Sequence, residues 1–207
     1  MNTVLRPALT LFLLLSLICG VGYPLAVTGI GRIAFAAQAD GSLVAAAGTA
    51  SASGTAPIGS RLIGQAFSAP RYFWSRPSAT SPMPNNGASS SGANLGPDNP
   101  ALIDAIKGRI AGLKAADPTN TAPIPVDLVT ASASGLDPDI SVAAAYYQAP
   151  RVARERRLDL GTIRTMIDAI RSERQFGFLG EPTVNVLALN LVLDRTPATT
   201  SEQAPAR

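Results

Sequence analysis

An uncharged apolar run near the N-terminus constrains this chain more than any other feature. It extends from Pro7 to Gly31 and has no charged residue in 25 positions. As an α-helix it would be roughly 37 Å long at about 1.5 Å per residue, enough to cross a hydrocarbon core of about 30 Å. A helix that lies against a soluble core usually has a polar stripe, and this run has none. The sequence therefore predicts one transmembrane anchor helix, with anchoring side chains at Leu9, Leu13, Leu14, Leu17, Val21, Leu25 and Val27.

The same run allows two other interpretations. A cleavable signal peptide is favoured by Arg6 and by the small residues around Phe35, but its apolar core would have only about 7–15 residues. A lipoprotein signal is suggested by Cys19, but Ile18 stands where a small residue is expected. We favour a retained anchor over both.

The charges that flank the run predict its orientation. Arg6 and the α-amino group precede it, whereas Arg32 and Asp40 follow it. The positive-inside rule then leaves the N-terminus in the cytoplasm and sends the following domain outside. The expected division is a cytoplasmic N-terminus (1–6), the anchor (7–31), a juxtamembrane segment with an Ala/Gly/Ser/Thr linker (32–61), one extracytoplasmic domain (62–194) and a polar tail (195–207).

Composition excludes several classes of function. The chain has no histidine, which removes Ser-His-Asp and Cys-His catalysis and histidine-containing zinc sites. Its single cysteine lies inside the apolar run, so the domain has no disulfide framework. There is no nucleotide-binding glycine loop and no recognisable carboxylate pair, and we expect the lysines Lys107 and Lys114 on a solvated helix face. We expect no catalytic residue and no metal site, and a net charge of +3 does not argue for nucleic acid.

Periodic apolar residues predict three helices in the domain. One begins after the cap Asn99, with Pro100 as its first residue, and ends near Asp117. A second begins after Ser141, which can cap it, and is interrupted by Pro150. A third covers the stretch in which Leu160, Ile163, Ile167 and Ile170 recur at helical spacing.

Other segments favour strands and loops. Residues 80–100 lack any apolar period and predict a long loop, whereas residues 123–134 are β-rich. Residues 183–193 are almost continuously apolar, which is typical of a strand buried on both faces, although Asn185 and Asn190 interrupt them. The predicted fold class is α+β: one N-terminal transmembrane helix followed by a single mixed α/β extracytoplasmic domain.

Three segments are candidates for contact with a partner, each with a structural alternative. The aromatic segment (Arg71–Ala79) is a local core cluster or a contact with lipid headgroups or a partner. The basic run from Arg151 to Arg157 is a solvated face or a patch for an acidic partner or anionic headgroups. The turn at 132–141 is pure scaffolding or presents carboxylates that raise the local cation concentration near a partner. The candidate partner-facing residues are Trp74, Arg76, Asp137, Asp139, Arg151 and Arg154.

Together these segments resemble a known family. The stretches YPLAVTG, RLIGQAF, YFWSRPSAT, GANLGPDNP, PVDLVTASASGLDPDIS, YQAPRVARER and GFLGEPTVNVLALNL are similar to the C chain of the bacterial Kdp potassium-transporting ATPase, the KdpC family. They occur in the family's order and cover most of residues 20–193.

The resemblance implies a non-catalytic, single-pass subunit of the bacterial inner membrane, with its domain in the periplasm or outside the cell. Its implied partners are a channel-like potassium-translocating chain, a P-type ATPase chain and a small peptide chain, together with membrane lipid. ATP and potassium are used by the complex, and this chain is expected to bind no cofactor itself. The family is regarded as a catalytic chaperone that raises the ATP affinity of the pump chain and supports assembly. A secreted or anchored binding module unrelated to transport is the alternative.

The chain departs from the family pattern at three places. Asp139 replaces a histidine and Val142 a proline in the GLDPHISP motif, and residues 45–57 resemble an insertion. A role that depends on that histidine does not transfer to Asp139.

Overall fold

The computed structural model describes residues 2–45 and 56–197. The chain divides into two compact units, residues 1–43 and residues 44–207. Most of the expected linker and insertion at 45–57 and of the polar tail at 195–207 lies outside the described residues.

The N-terminal unit is almost entirely helical. Helix α1 (Asn2–Leu17) continues through one π-helical turn (Ile18–Gly22) into α2 (Tyr23–Ala34), and a short α3 (Ala36–Ala39) follows. Among the described residues, one continuous helix, Thr3–Ala34, is long and apolar enough to cross a membrane, and its most apolar stretch is not buried. This helix extends beyond the predicted anchor at both ends, because the residues on either side also adopt helical geometry.

The second unit combines helices with short strands. Strand β1 (Leu43–Ala45) at its start is hydrogen-bonded to β2 (Pro57–Ser60), and β3 (Asp139–Ser141) pairs antiparallel with β4 (Thr183–Asn185) in the register Ile140 to Val184. Its helices are α4 (Pro100–Ala116), α5 (Val142–Arg156), α6 (Leu160–Ile170) and α7 (Val186–Arg195). The predicted α+β class is confirmed, and the long loop at 80–100 is confirmed up to the start of α4 at Pro100.

A side chain caps the N-terminus of each of the four α-helices that the structure describes in this unit. Asn99 accepts from the Ala101 N–H at 2.9 Å and Ser141 accepts from the Ala144 N–H at 3.0 Å, which confirms the two predicted caps. Asp159 caps α6 and Asn185 caps α7 in the same manner. Such caps satisfy N–H groups that have no partner within the helix.

The prediction of a buried strand at 183–193 is wrong beyond its first three residues. Only Thr183–Asn185 is a strand, and Asn185 then accepts from the Ala188 N–H at 3.0 Å and begins α7. The buried residues Val186, Leu189 and Leu193 recur at helical spacing. The periodicity of a short apolar run does not distinguish a buried strand from a buried helix. Here the Asn185 cap and the helical spacing of the buried residues belong to a helix.

The prediction of a β-rich segment at 123–134 is also wrong. The segment has one 3₁₀ turn (Val126–Leu128) and is otherwise irregular. Pro123 and Pro125 lack the N–H groups that a strand ladder requires. Leu128 and Val129 are both buried although they are adjacent, so the burial does not alternate as it does in a half-buried strand.

Pro150 does not interrupt α5 as predicted. The helix continues to Arg156 and ends where Arg157 adopts a left-handed conformation with φ of 55°. Ala149 and Val152, on either side of the proline, are completely buried. Because packing of the buried face provides most of a helix's stability in a protein, the loss of one backbone hydrogen bond does not end it.

The core of the second unit is formed by α5, α6, α7, the β3–β4 pair and the aromatic segment. Small residues line the buried face of α5, so neighbouring backbones can approach closely. The completely buried apolar residues are Phe73, Ala144, Ala145, Ala149, Val152, Ile163, Ile167, Val184, Leu189 and Leu193.

Candidate functional site

Two buried amide side chains hold the aromatic segment in place. Asn190 accepts from the Phe73 N–H at 2.9 Å and donates to the Phe73 carbonyl at 3.0 Å. Gln148 does the same for Trp74, at 2.8 Å and 3.1 Å. Each amide thus replaces the neighbouring strand that an extended segment would otherwise need for its backbone groups. Phe73 is completely buried as a result, which confirms that the segment contributes to the core.

Arg151 lies in the core beside these amides. Its side chain is 2% exposed, so the predicted solvated face is wrong for this residue. The guanidinium donates to the Pro70 and Tyr72 carbonyls and to Gln148 Oε1, and it stacks over the Trp74 ring at 4.5 Å from the centroid. Burial lowers its pKa to about 10, so the group is still charged at neutral pH. A buried cation with several hydrogen-bond acceptors positions the chain around it.

Arg154 and Arg156 both lie on α5, and each forms an ion pair with a carboxylate outside that helix. Arg154 Nη2 is 2.7 Å from Oδ1 of buried Asp117, whose Oδ2 has no hydrogen-bond partner within the described part of the chain. Arg156 Nη2 is 2.8 Å from Asp194 Oδ1, and the Tyr72 hydroxyl donates to the same carboxylate at 3.1 Å. Two of the four arginines in the basic run are therefore paired with carboxylates within the fold.

The turn before α5 is tied to the aromatic segment by Asp137. Arg76 Nη1 is 2.8 Å from Asp137 Oδ2, and Asp137 Oδ1 accepts from the Asp139 N–H at 3.0 Å. Gly135 has φ of +69°, and a Cβ there would come within 2.6 Å of Thr80 Cγ2, so the turn requires glycine. Arg76 and Asp137 are both half-buried. Their predicted contact with a partner stays a prediction, since each already has a partner in the fold.

Asp139 lies in β3 and not at a free turn position. Its carboxylate accepts from the Thr183 hydroxyl at 3.1 Å and from Asn185 Nδ2 at 2.9 Å, so it joins β3 to the cap of α7. These contacts favour the scaffolding interpretation of the turn. Steering of potassium by Asp139 remains a prediction.

A groove of about 300 Å³ lies beside Trp74. Its lining is mostly apolar and includes Phe67, Leu113 and Leu128. Arg109 at its edge donates to the Val129 carbonyl at 2.8 Å, and burial lowers the pKa of this guanidinium. The groove can cover an apolar surface, but these side chains do not pair an acid with a base. No group of three or more metal-ligating side chains occurs in residues 2–45 and 56–197.

Sequence reasoning missed the most informative polar residues. Gln148 and Asn190 are buried amides in α5 and α7, each next to apolar residues in the sequence, and an amide at such a position is the signal that the sequence offers. In the sequence, Asn190 stands out only as an interruption of the apolar run at 183–193. The exposed aromatic residues Phe176 and Phe178 were also missed, since the sequence analysis assigned no role to either.

These features define a class of protein. Its described residues form one candidate membrane-spanning helix and an α+β body, in which the polar side chains of the candidate site form hydrogen bonds with the body's own backbone and side chains. The comparisons with known proteins narrow this class. The family model described as "K+-transporting ATPase, c chain" matches residues 5–195, and the chain belongs to this KdpC family. The resemblance drawn from the sequence segments is thereby confirmed.

Three relatives illustrate the match, each named potassium-transporting ATPase KdpC subunit. The one from Janthinobacterium sp. (strain Marseille) is 62% identical over 94% of this chain and 100% of its own length. The one from Herminiimonas arsenicoxydans is 64% identical over 94% of this chain and 99% of its own. The one from Dechloromonas aromatica (strain RCB) is 57% identical over 94% of this chain and 98% of its own length. The similarity therefore covers the apolar helix as well as the α+β body.

Proposed function

We propose that this chain is a non-catalytic subunit of an ATP-driven, high-affinity potassium import complex. In this role it raises the ATP affinity of the pump chain and supports assembly of the complex. The observation that carries the proposal is the match of the KdpC family model to residues 5–195, supported by relatives about 60% identical along nearly their whole length. The proposed partners are a channel-like potassium-translocating chain, a P-type ATPase chain, a small peptide chain and membrane lipid.

Several features support a role without catalysis by this chain. The sequence has no histidine and no glycine-rich nucleotide loop. The polar side chains of the candidate site, such as Asn190, Gln148 and Asp139, are engaged by the fold's own backbone and side chains. ATP and potassium are accordingly assigned to the complex and not to a pocket of this chain.

The proposed location is the bacterial inner membrane, crossed once. The apolar helix Thr3–Ala34 supports the span, and Arg6 before its apolar core supports a cytoplasmic N-terminus. The α+β body would then face the periplasm or the exterior. A body on that side would influence ATP binding through its partner chains, by making different contacts in different pump states.

Co-purification tests the proposal most simply. The full-length chain carries an affinity tag, is expressed with the other pump chains and is solubilised in a mild detergent. We expect the P-type ATPase chain and the channel-like chain to elute with it in constant ratio. Elution of the tagged chain alone, under conditions in which the other chains still copurify with one another, would reject the proposal.

A further inference from the structure

A short hairpin connects α6 to β4. Ser172 and Thr183 exchange two backbone hydrogen bonds at 2.8 and 3.1 Å, and Gln175 and Leu179 exchange two at 2.9 Å. The tip between the inner pair consists of Phe176, Gly177 and Phe178. These backbone hydrogen bonds join the two arms of the hairpin and hold the tip in a defined conformation.

The tip exposes large apolar side chains. Phe176 is 86% exposed, Phe178 is 71% exposed and the adjacent Leu179 is 48% exposed. Together they make an apolar patch on the order of 300–400 Å², a size that is often functional on a soluble surface. A stable interface between two copies buries roughly 1,200–2,000 Å² in total, so the tip alone is too small for a dimer. Its size instead fits one anchoring contact within a larger interface.

The backbone at the tip is unfavourable for the residue that occupies it. Phe176 has φ of +53°, and Gly177 after it has φ of +80°. The left-handed region is disfavoured for a bulky aromatic residue, whereas glycine would adopt it freely. A phenylalanine at this position is therefore not explained by the turn. Backbone strain of this kind collects at sites that bind something.

The charges around the tip are matched in pairs. Arg171 Nε donates to Glu173 Oε1 at 2.8 Å, and Arg174 Nη2 is 2.6 Å from Glu181 Oε2. These four residues, which form the rim of the tip, carry no net charge together and so do not attract anionic headgroups. Phenylalanine also lacks the polar group that tryptophan and tyrosine place at a membrane interface. A neutral rim around two phenylalanines fits an apolar protein cleft better than a lipid surface.

We propose that Phe176 and Phe178 insert into an apolar cleft of another chain of the transport complex and anchor this subunit there. The inference rests on the proposed function, because it requires the other chains. An aromatic side chain seated in a desolvated pocket is the usual hot spot of such an interface.

The test uses the full-length tagged chain expressed with the other pump chains. Phe176→Gly and Phe178→Ser, combined, should weaken retention of the complex by roughly thirtyfold or more in a titration with the solubilised partner chains. The control is Leu62→Ser, which removes a leucine that is 63% exposed outside the hairpin and should leave retention unchanged. Phe176→Gly alone should keep or raise the melting temperature, because glycine relieves the left-handed strain.

The possible outcomes distinguish a failure of the proposed function from a failure of the anchoring role of the hairpin. If the parent chain does not copurify with the pump chains, the proposed function fails. If the parent copurifies and the double variant binds as tightly, only the anchoring role of the hairpin is overturned.

A second measurement distinguishes protein from lipid. With Cys19 replaced by alanine, Phe178→Cys carries an environment-sensitive fluorophore. A blue shift of its emission is expected only in the assembled complex. The same shift in phosphatidylethanolamine–phosphatidylglycerol vesicles that hold this chain alone would overturn the inference in favour of lipid.

Discussion

Asn190→Leu is the sharpest test of how the aromatic segment is held. The substitution keeps the branched shape of the side chain at a larger volume but removes both hydrogen bonds to Phe73, which is completely buried. Each backbone group left without a partner costs about 1–3 kcal/mol, whereas the newly buried leucine recovers about 1.5–2 kcal/mol. The two groups together cost about 2–6 kcal/mol, so the net loss is about 0–4.5 kcal/mol, against a typical stability of about 5–15 kcal/mol.

The assay is thermal unfolding of the full-length chain in detergent, followed by the fluorescence of Trp74, the single tryptophan. For a unit of this size each kcal/mol lost should lower the melting temperature by roughly 2–4 °C. Gln175→Leu is the matched control, because it changes an exposed amide and should shift the melting temperature little. If the two hydrogen bonds contributed nothing, the added apolar burial would make Asn190→Leu stabilising. A melting temperature above that of the parent would refute the hydrogen-bonding argument.

The remaining predictions concern the membrane, the orientation and the turn. Leu13→Arg or Leu14→Arg should impair insertion by about 2.5–3.5 kcal/mol at the helix centre, and an unchanged alkali-resistant membrane fraction for both would contradict a retained span. In a chain with Cys19 replaced, Ser89→Cys should react with an impermeant thiol reagent in intact spheroplasts; labelling only after lysis would place the body in the cytoplasm. Asp139→Asn should weaken the apparent potassium affinity of the complex at low ionic strength but not at high ionic strength, and equal half-saturation at both would remove the steering role.

Local signals in the sequence predicted much of the fold. Asn99 and Ser141 were identified as caps because a cap acts on N–H groups two or three residues away. The apolar periods of α4 and α6 likewise predicted helices that are present. The errors came where two structures share a local pattern. The run after Thr183 is apolar enough for a strand or a helix, and the choice depends on the cap and the packing around α7.

The candidate site was less predictable because its contacts are distant in sequence. Asn190 and Phe73 are 117 residues apart in the sequence. No local pattern indicates that the side-chain amide of Asn190 forms hydrogen bonds with the backbone of Phe73. Arg151 looked like part of an exposed basic run, yet its hydrogen bonds to the Pro70 and Tyr72 carbonyls span about eighty residues and place it in the core. The exposure of Phe176 contradicts the usual preference of phenylalanine for the interior, so composition alone could not have indicated it.

The ATP dependence of potassium-stimulated hydrolysis tests the central proposal most directly. The other pump chains are purified without this subunit, and the full-length chain is added back in increasing amounts. The proposal predicts that the KM for ATP falls as the chain is added and that it levels off at a fixed stoichiometry. A KM that stays the same while the chain demonstrably joins the complex would contradict the proposed role in ATP affinity.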